Sequence, residues 1–329
     1  MNTGLDVGYS AVKAIAGDRR VTFPSVVGTP DRARFSLDGE GANDIVLNLS
    51  DGTFLVGQGA VEQSRFAPRW EDRDWIKSDE YYRLVLATFT ELTSATSCDL
   101  VVVTGLPVAY YGDKDALRDL LLGEHRASRE GRRAQVFRVT DCRVIPQPFG
   151  ALLSLALDNH GRVADTELAT GTVGVIDVGS NNINLLSAKR LSEIATETDS
   201  VDKGAWDAMR AVQGWLSNHC PDLVLRDHQV IEAMIAREVA YYDGKVDLSE
   251  VVDAVLEPLA AEVGAKATQL GWSRGANLSA ILVSGGGALL LGSAIKKRFK
   301  HARVVEDPVF ANASGYWKFA QRIGRKSNV

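Results

Sequence analysis

One short pattern occurs twice in this chain and constrains it more than any other feature. Leu5-Asp6-Val7-Gly8-Tyr9-Ser10 returns in the second half as Ile176-Asp177-Val178-Gly179-Ser180-Asn181. Each copy is an apolar run ending on Asp, a glycine turn with polar residues, and a second apolar run, Ala11–Ala16 or Ile183–Ala188. A single Asp-x-Gly is a common turn and carries little weight. Two copies, each opening a half-chain in which strand and helix patterns then alternate, predict two related α/β units. The 329 residues suit two domains of about 150 residues each. We expect one over residues 1–160, with 311–329 returning to it and a small subdomain near 25–75. The other spans 161–310, with a small subdomain near 203–272, and the polar stretch Asn159–Gly171 marks the junction.

Glycine turns of this kind suit phosphate, because backbone N–H groups clear of bulky side chains cradle anionic oxygens. Gly8, Tyr9 and Ser10 form one candidate cradle, and Gly179, Ser180, Asn181 and Asn182 the other. A carboxylate beside a phosphate is repulsive unless a cation intervenes. Mg²⁺ takes few direct protein ligands and keeps its waters, so Asp6 and Asp177 are expected to hold it through water. Lys13, one short strand beyond the first turn, either supplies charge to the β/γ-phosphates or is an ordinary solvated strand lysine. Neither G-x-x-x-x-G-K-[ST] nor a G-x-G-x-x-G following a strand is present, so P-loop and dinucleotide folds are excluded. The chain holds 30 glycines against 9 prolines, where ordinary usage is about 7% and 5%. The excess is read as backbone approaching a ligand, notably at Gly285-Gly286-Gly287, where a strand turns into a helix.

With a net charge of −5, no basic excess exists to hold a phosphate backbone by counterion release, so nucleic acid is not expected as a direct ligand. Three scattered cysteines without CxxC read as buried thiols in a reducing cytoplasm. The sequence carries no export-signal or membrane-span pattern, so a cytoplasmic protein without membrane contact is expected. An Asp-Gly hairpin is expected over 45–56, behind a polar loop Asp31–Asp44, and a helix over 78–92 capped by Ser78 or Asp79. We further read 124–133 as a charged connection, 136–139 and 143–145 as two strands, and 229–240 and 248–269 as helices. Of Trp70, Trp75, Tyr81 and Tyr82, a candidate protein contact, Tyr81 has the helical spacing of a core residue.

Five segments in order resemble the actin-like ATPase superfamily, which includes actin, heat-shock chaperone ATPases and sugar kinases. The two phosphate motifs are similar to Leu5–Lys13 and Ile176–Asn182, the adenosine motif to Val283-Ser284-Gly285-Gly286-Gly287-Ala288, and the two connecting helices to Ile145–Leu153 and Ala311–Trp317. Within the superfamily, Gly105–Tyr111 resembles a segment of the ParM/StbA plasmid-segregation actins. The resemblance implies an α/β fold of two ribonuclease-H-like lobes around a nucleotide cleft that takes ATP or ADP with Mg²⁺. It implies that Gln147 holds the attacking water, that Gly204 lies on the ribose side, and that Gly285, Gly286 and Gly287 approach the adenosine. Asn181 and Asn182 depart from relatives that often carry Gly or Asp and Thr there. The implied function is an ATPase that polymerises head to tail with ATP and Mg²⁺, through a heterologous interface that does not close, in plasmid or DNA segregation with a DNA-binding adaptor. The alternatives are a sugar kinase, which needs a carboxylate base not evident in the sequence, and a bacterial or archaeal cytoskeletal actin outside segregation.

Overall fold

The computed structural model describes residues 1–30, 44–64 and 73–326, apart from the side chains of residues 274, 325 and 326. Nearly all of the polar loop and Trp70 lie outside the described residues. The chain divides into one unit of residues 1–106, 110–164 and 312–329, and a second of 107–109 and 165–311.

The first unit is built on a sheet of nine described strands. They are β1 (Asn2–Val7), β2 (Ala11–Ala16), β3 (Arg19–Pro24), β4 (Val27–Gly28), β5 (Ile45–Leu49), β6 (Gly52–Val56), β7 (Ser97–Leu106), β8 (Gly123–Arg129) and β9 (Gln135–Pro146), in the order β3-β2-β1-β7-β9-β8-β5-β6-β4. Helices α1 (Gln58–Gln63), α2 (Asp79–Leu92), α3 (Lys114–Leu121) and α4 (Phe149–Ala156) are interleaved with them, and the C-terminal helix Ala311–Lys326 completes the unit. Successive strand residues face opposite ways. On β7, Val102 accordingly joins the large core with Leu84, Val85 and Phe89 of α2, while Val103 joins Tyr316 and Ala320 of the C-terminal helix. The sheet is thus covered on both faces. Ser78 is the α2 cap, its hydroxyl accepting from Tyr81 N at 3.1 Å, and Tyr81 is buried as its spacing predicts.

The second unit repeats the plan. Its strands are β10 (Thr172–Val178), β11 (Ile183–Lys189), β12 (Ser192–Glu193), β13 (Asp199–Val201), β14 (Glu238–Tyr241), β15 (Gly244–Asp247), β16 (Ala280–Ser284) and β17 (Ala302–Val304). Helices α5 (Thr166–Thr170), α6 (Ala205–His219), α7 (Asp227–Ala236), α8 (Ser249–Gln269) and α9 (Ala288–Arg298) accompany them. In each unit the first strand sits in the middle of the core sheet. One flank carries its antiparallel hairpin partner, β2 or β11, and the other two parallel strands, β7 and β9 or β16 and β17. The sequence repeat is therefore a repeat of sheet topology.

Four local expectations need correction. Residues 123–129 are strand β8 rather than an exposed connection: His125 and Ala127 point inward while Glu124 and Arg126 face water. The two strands expected within 136–145 are one, β9, whose pairing with β7 shifts register after Leu100. The residue skipped is Thr140, whose hydroxyl donates to Leu100 O at 3.1 Å, a local bulge of the sort that accommodates one extra residue. The helix expected to reach 240 ends at Ala236, where Arg237 adopts φ 61° and the chain enters the β14–β15 hairpin. Cys142 and Cys220 are buried, but Cys98 is partly exposed. No helix among the described residues is long and apolar enough to cross a membrane.

Much of the glycine excess lies under the C-terminal helix. An ideal Cβ on Gly315 would sit 1.8 Å from the Gly150 carbonyl oxygen, one on Gly4 2.1 Å from that of Ala313, and one on Gly105 2.0 Å from the Tyr316 hydroxyl. At Gly315 and Gly4 backbone meets backbone, and at Gly105 it meets the Tyr316 side chain. Gly315→Ala is expected to lower unfolding free energy by about 1–3 kcal/mol, as overpacking does. Gly214→Ala, in α6 with open space around the new methyl, is expected to raise it by about 0.5–1 kcal/mol; urea denaturation measures both. Burial pushes the Cys142 thiol up to about 12, so a disulfide-forming thiol reagent should label Cys98 alone in the folded chain and all three cysteines after denaturation.

Candidate functional site

Both Asp-Gly turns are built the same way. Gly8 N donates to Ala11 O at 3.2 Å, and Gly179 N donates to Asn182 O at 2.9 Å, so each glycine closes a tight link between the central strand and its hairpin partner. The hairpin register then sets what faces each carboxylate, since directly paired residues share a face. Asp6 pairs with Lys13, and Asp177 with Asn184.

In the first unit Asp6 is 4% exposed. Lys13 Nζ lies 3.7 Å from its Oδ2, with the lysine side chain only 14% exposed. Lys13 is therefore not a solvated strand lysine; it compensates a buried charge. Gln147 Nε2 donates to Asp6 Oδ1 at 3.1 Å. The sequence places Gln147 at a helix start, and it occupies the turn before α4, whose N-cap is Pro148. Its backbone is fixed from three sides: its N–H donates to Leu106 O at 2.8 Å, and its carbonyl accepts from Gly150 N and from the Tyr316 hydroxyl, each at 3.1 Å. The turn itself is held by Ser25, whose hydroxyl donates to Gly8 O at 2.6 Å and whose N–H donates to Ser10 O at 2.9 Å. Tying down carbonyls leaves a turn's N–H side to face a ligand, which is how backbone anion cradles work. The Tyr9 ring stacks on Trp75, with centroids 6.1 Å apart.

In the second unit Asp177 is 3% exposed and accepts from the Ser284 hydroxyl at 3.1 Å. Helix α6 starts on the second turn, with Ala205 N donating to Gly179 O at 3.0 Å and Trp206 N to Ser180 O at 2.8 Å. Gly204 permits this approach: a Cβ there would lie 2.3 Å from Ser180 O. Asp207 completes the helix entry by accepting from Gly204 N at 2.8 Å. The second turn thus leads straight into a helix whose first backbone N–H groups are bonded to the turn's carbonyls and to Asp207.

The Gly285–Gly287 run serves the protein's own packing first. Gly285 has φ +85°, and a Cβ on it would lie 2.4 Å from Val178 O and 2.7 Å from Asp177 Oδ1. Gly287 donates to Val178 O at 2.9 Å. Gly286 alone faces open space. The run therefore fastens the start of α9 to the end of β10, beside Asp177.

Three side chains were given no role by the sequence reading. Ser284 pairs with Asp177 across β10 and β16, which the glycine motif one residue later could have signalled. Asn184, 1% exposed, accepts from Val108 N at 3.0 Å, and hairpin register alone would have found it. Ser25 has no local pattern to betray it. Among the described residues no group of three or more His, Cys, Asp or Glu side chains is placed to hold a metal ion. Asp6 and Asp177 are hard oxygen donors, suited to an ion such as Mg²⁺ that is held chiefly by water and phosphate oxygens.

Comparison with known proteins agrees with this architecture. Residues 4–150 match the family described as actin-like proteins, N-terminal domain, and residues 175–297 match the C-terminal domain of archaeal actin homologues similar to MreB. No curated protein sequence matches. Among solved structures, the archaeal actin homologue Ta0583 is 25% identical, with a TM-score of 0.79 over 98% of this chain and 99% of that one. A 15-stranded ParM filament from Clostridium botulinum is 21% identical, with a TM-score of 0.76 over 98% and 99%. The apo ParM protein of pSK41 is 20% identical, with a TM-score of 0.75 over 100% and 99%. Ta0583 has also been solved in complex with ADP. With both halves of the sequence matched in order and the fold shared over nearly its whole length, the chain belongs to the actin-like ATPase family.

Proposed function

We propose that this protein binds ATP with Mg²⁺, hydrolyses it, and assembles head to tail into filaments. The observation that carries the reading is the duplicated turn: a buried carboxylate at the same station of two equivalent sheets, each followed by a closed glycine turn. Gly8, Tyr9 and Ser10 together with Gly179, Ser180, Asn181 and Asn182 are the proposed phosphate ligands, with Gly286 on the nucleoside side and Gly204 setting the second turn. Mg²⁺, when bound, supplies charge compensation for the phosphates, and Asp6 and Asp177 hold its waters. Lys13, which stands beside Asp6, is proposed to meet a phosphate anion as well. Gln147 orients water through its amide; an amide is too weak a base to deprotonate that water, so hydrolysis rests on positioning. The ADP complex of Ta0583 and the ParM filament support nucleotide binding and self-association respectively. Plasmid or DNA segregation, with a DNA-binding adaptor as the linking partner, is the proposed role; the likeness to archaeal actin homologues supports a cytoskeletal role as the second reading.

Two experiments test this. Adding ATP and Mg²⁺ to the full chain should give sedimentable filaments and phosphate release, both lost in Asp177→Ala; protein that stays monomeric at high concentration with ATP overturns the filament reading, and ATP turnover that requires a sugar points to a kinase instead. Lys13→Met removes the cation facing a buried carboxylate, and leaving such a group poorly paired costs about 1–3 kcal/mol. The variant should therefore unfold at lower urea and bind ATP more weakly than the parent chain.

A further inference from the structure

We propose that Trp75 is the positioning residue of the first phosphate turn, acting through the ring of Tyr9. The inference rests on the reading of Gly8–Ser10 as a phosphate ligand and adds what keeps that turn in shape. Ser25 holds the turn's carbonyls, but its middle residue is held by a ring contact. Tyr9 and Trp75 lie 6.1 Å apart, centroid to centroid, with planes at 28°, a stacked pair. Trp75 is 5% exposed and is itself built onto a rigid helix. Its carbonyl accepts from the Ser78 hydroxyl at 2.7 Å, while the same hydroxyl accepts from Tyr81 N at the start of α2. Its ring meets that of Tyr81 edge to face at 5.6 Å and 88°. Tyr81 is fully enclosed, and burial pushes its phenol well above the usual range, so this anchor stays neutral and in place. The aromatic series Tyr9, Trp75, Tyr81 therefore runs from the phosphate turn to the core face of α2.

The physical consequence is preorganisation. A three-residue turn starting on glycine has several backbone states, and binding phosphate selects one of them. Fixing the Tyr9 ring in advance removes part of that ordering cost from the binding step. A stacked aromatic pair shifts an equilibrium by about two- to tenfold, which sets the size of the effect. Residues 73–77, which carry Trp75, are fixed at their other end by Arg73, whose Nη2 donates to Asp113 Oδ1 at 2.6 Å. Trp75 thus presents its ring from a segment held at both ends.

The test is titration of the full chain with a fluorescent ATP analogue and Mg²⁺. Tyr9→Ala and Trp75→Ala should each weaken binding about three- to tenfold, whereas Tyr9→Phe and Trp75→Phe, which keep a ring in place, should stay within about twofold. The double variant Tyr9→Ala/Trp75→Ala should be no weaker than the worse single variant, because both remove the same contact. Unchanged binding in the alanine variants, or losses that multiply in the double variant, overturns the proposal. Where circular dichroism shows that Trp75→Ala does not fold, the contrast between Tyr9→Ala and Tyr9→Phe decides, since that ring is only partly buried. A parent chain that binds no nucleotide overturns the functional reading as well; a parent chain that binds, with variants equal to it, overturns this inference alone.

Discussion

A carboxylate taken out of water at the end of a central strand is the constraint around which each unit is arranged. The penalty for burying such a charge is several kcal/mol unless partners are fixed in advance. Asp6 receives Lys13 from hairpin register and Gln147 from the turn before α4. Asp177 receives the hydroxyl of Ser284 from the neighbouring parallel strand. In the first unit the glycine turn serves the same demand, because it closes the hairpin in the register that faces Lys13 toward the acid. The two units answer the demand with different chemistry: the station of Lys13 is taken in the second unit by Asn184, whose oxygen is turned to Val108 N.

The glycines divide into two groups that composition cannot separate. Gly8 and Gly179 close turns. Gly4, Gly150 and Gly315 let the C-terminal helix lie against the face of the sheet and α4 backbone to backbone, and Gly105 leaves room for the Tyr316 side chain. That close approach has a polar component, as Asn312 accepts from Ala151 N at 3.1 Å and so satisfies a donor in the first turn of α4. A residue from the last helix thus completes a helix begun half a chain earlier. The initial reading of the surplus as ligand-facing backbone was too narrow, because close approach between two segments of one chain makes the same demand on side-chain size as close approach to a ligand.

What was legible in the sequence is what local periodicity writes down. The duplicated turn, the hairpin at 45–56 and α2 with its Ser78 cap all rest on patterns within a dozen residues. Strand β8 was hidden because one of its inward positions is histidine, which pairs with the Tyr82 hydroxyl and Leu121 O and so reads as polar where the fold treats it as core. Strand β9 looked like two strands because the extra residue at Thr140 breaks the alternation. The end of α7 was hidden because Arg237, which takes the left-handed conformation there, is not among the residues that usually do so, although Asp243-Gly244 marks the hairpin that follows. At the site, the residue types were legible and their partners were not. Ser25 and Tyr316 act through bonds to residues well separated from them in the chain, and such bonds leave no repeat in the sequence.

Gln147 shows how these pieces combine. Its backbone is bonded to the end of β7, to α4 and to the C-terminal helix, and Gly105 is small because Tyr316 must pass over it to make the last of these bonds. Position is therefore delivered by the fold, from segments far apart in sequence. The side chain keeps the freedom that the backbone has lost, with one bond to Asp6. In the proposed reaction that bond has a direct consequence. The carboxylate would hold a water of the metal ion and the amide would orient the attacking water, and because the two side chains are hydrogen-bonded to each other the two proposed roles are directly linked.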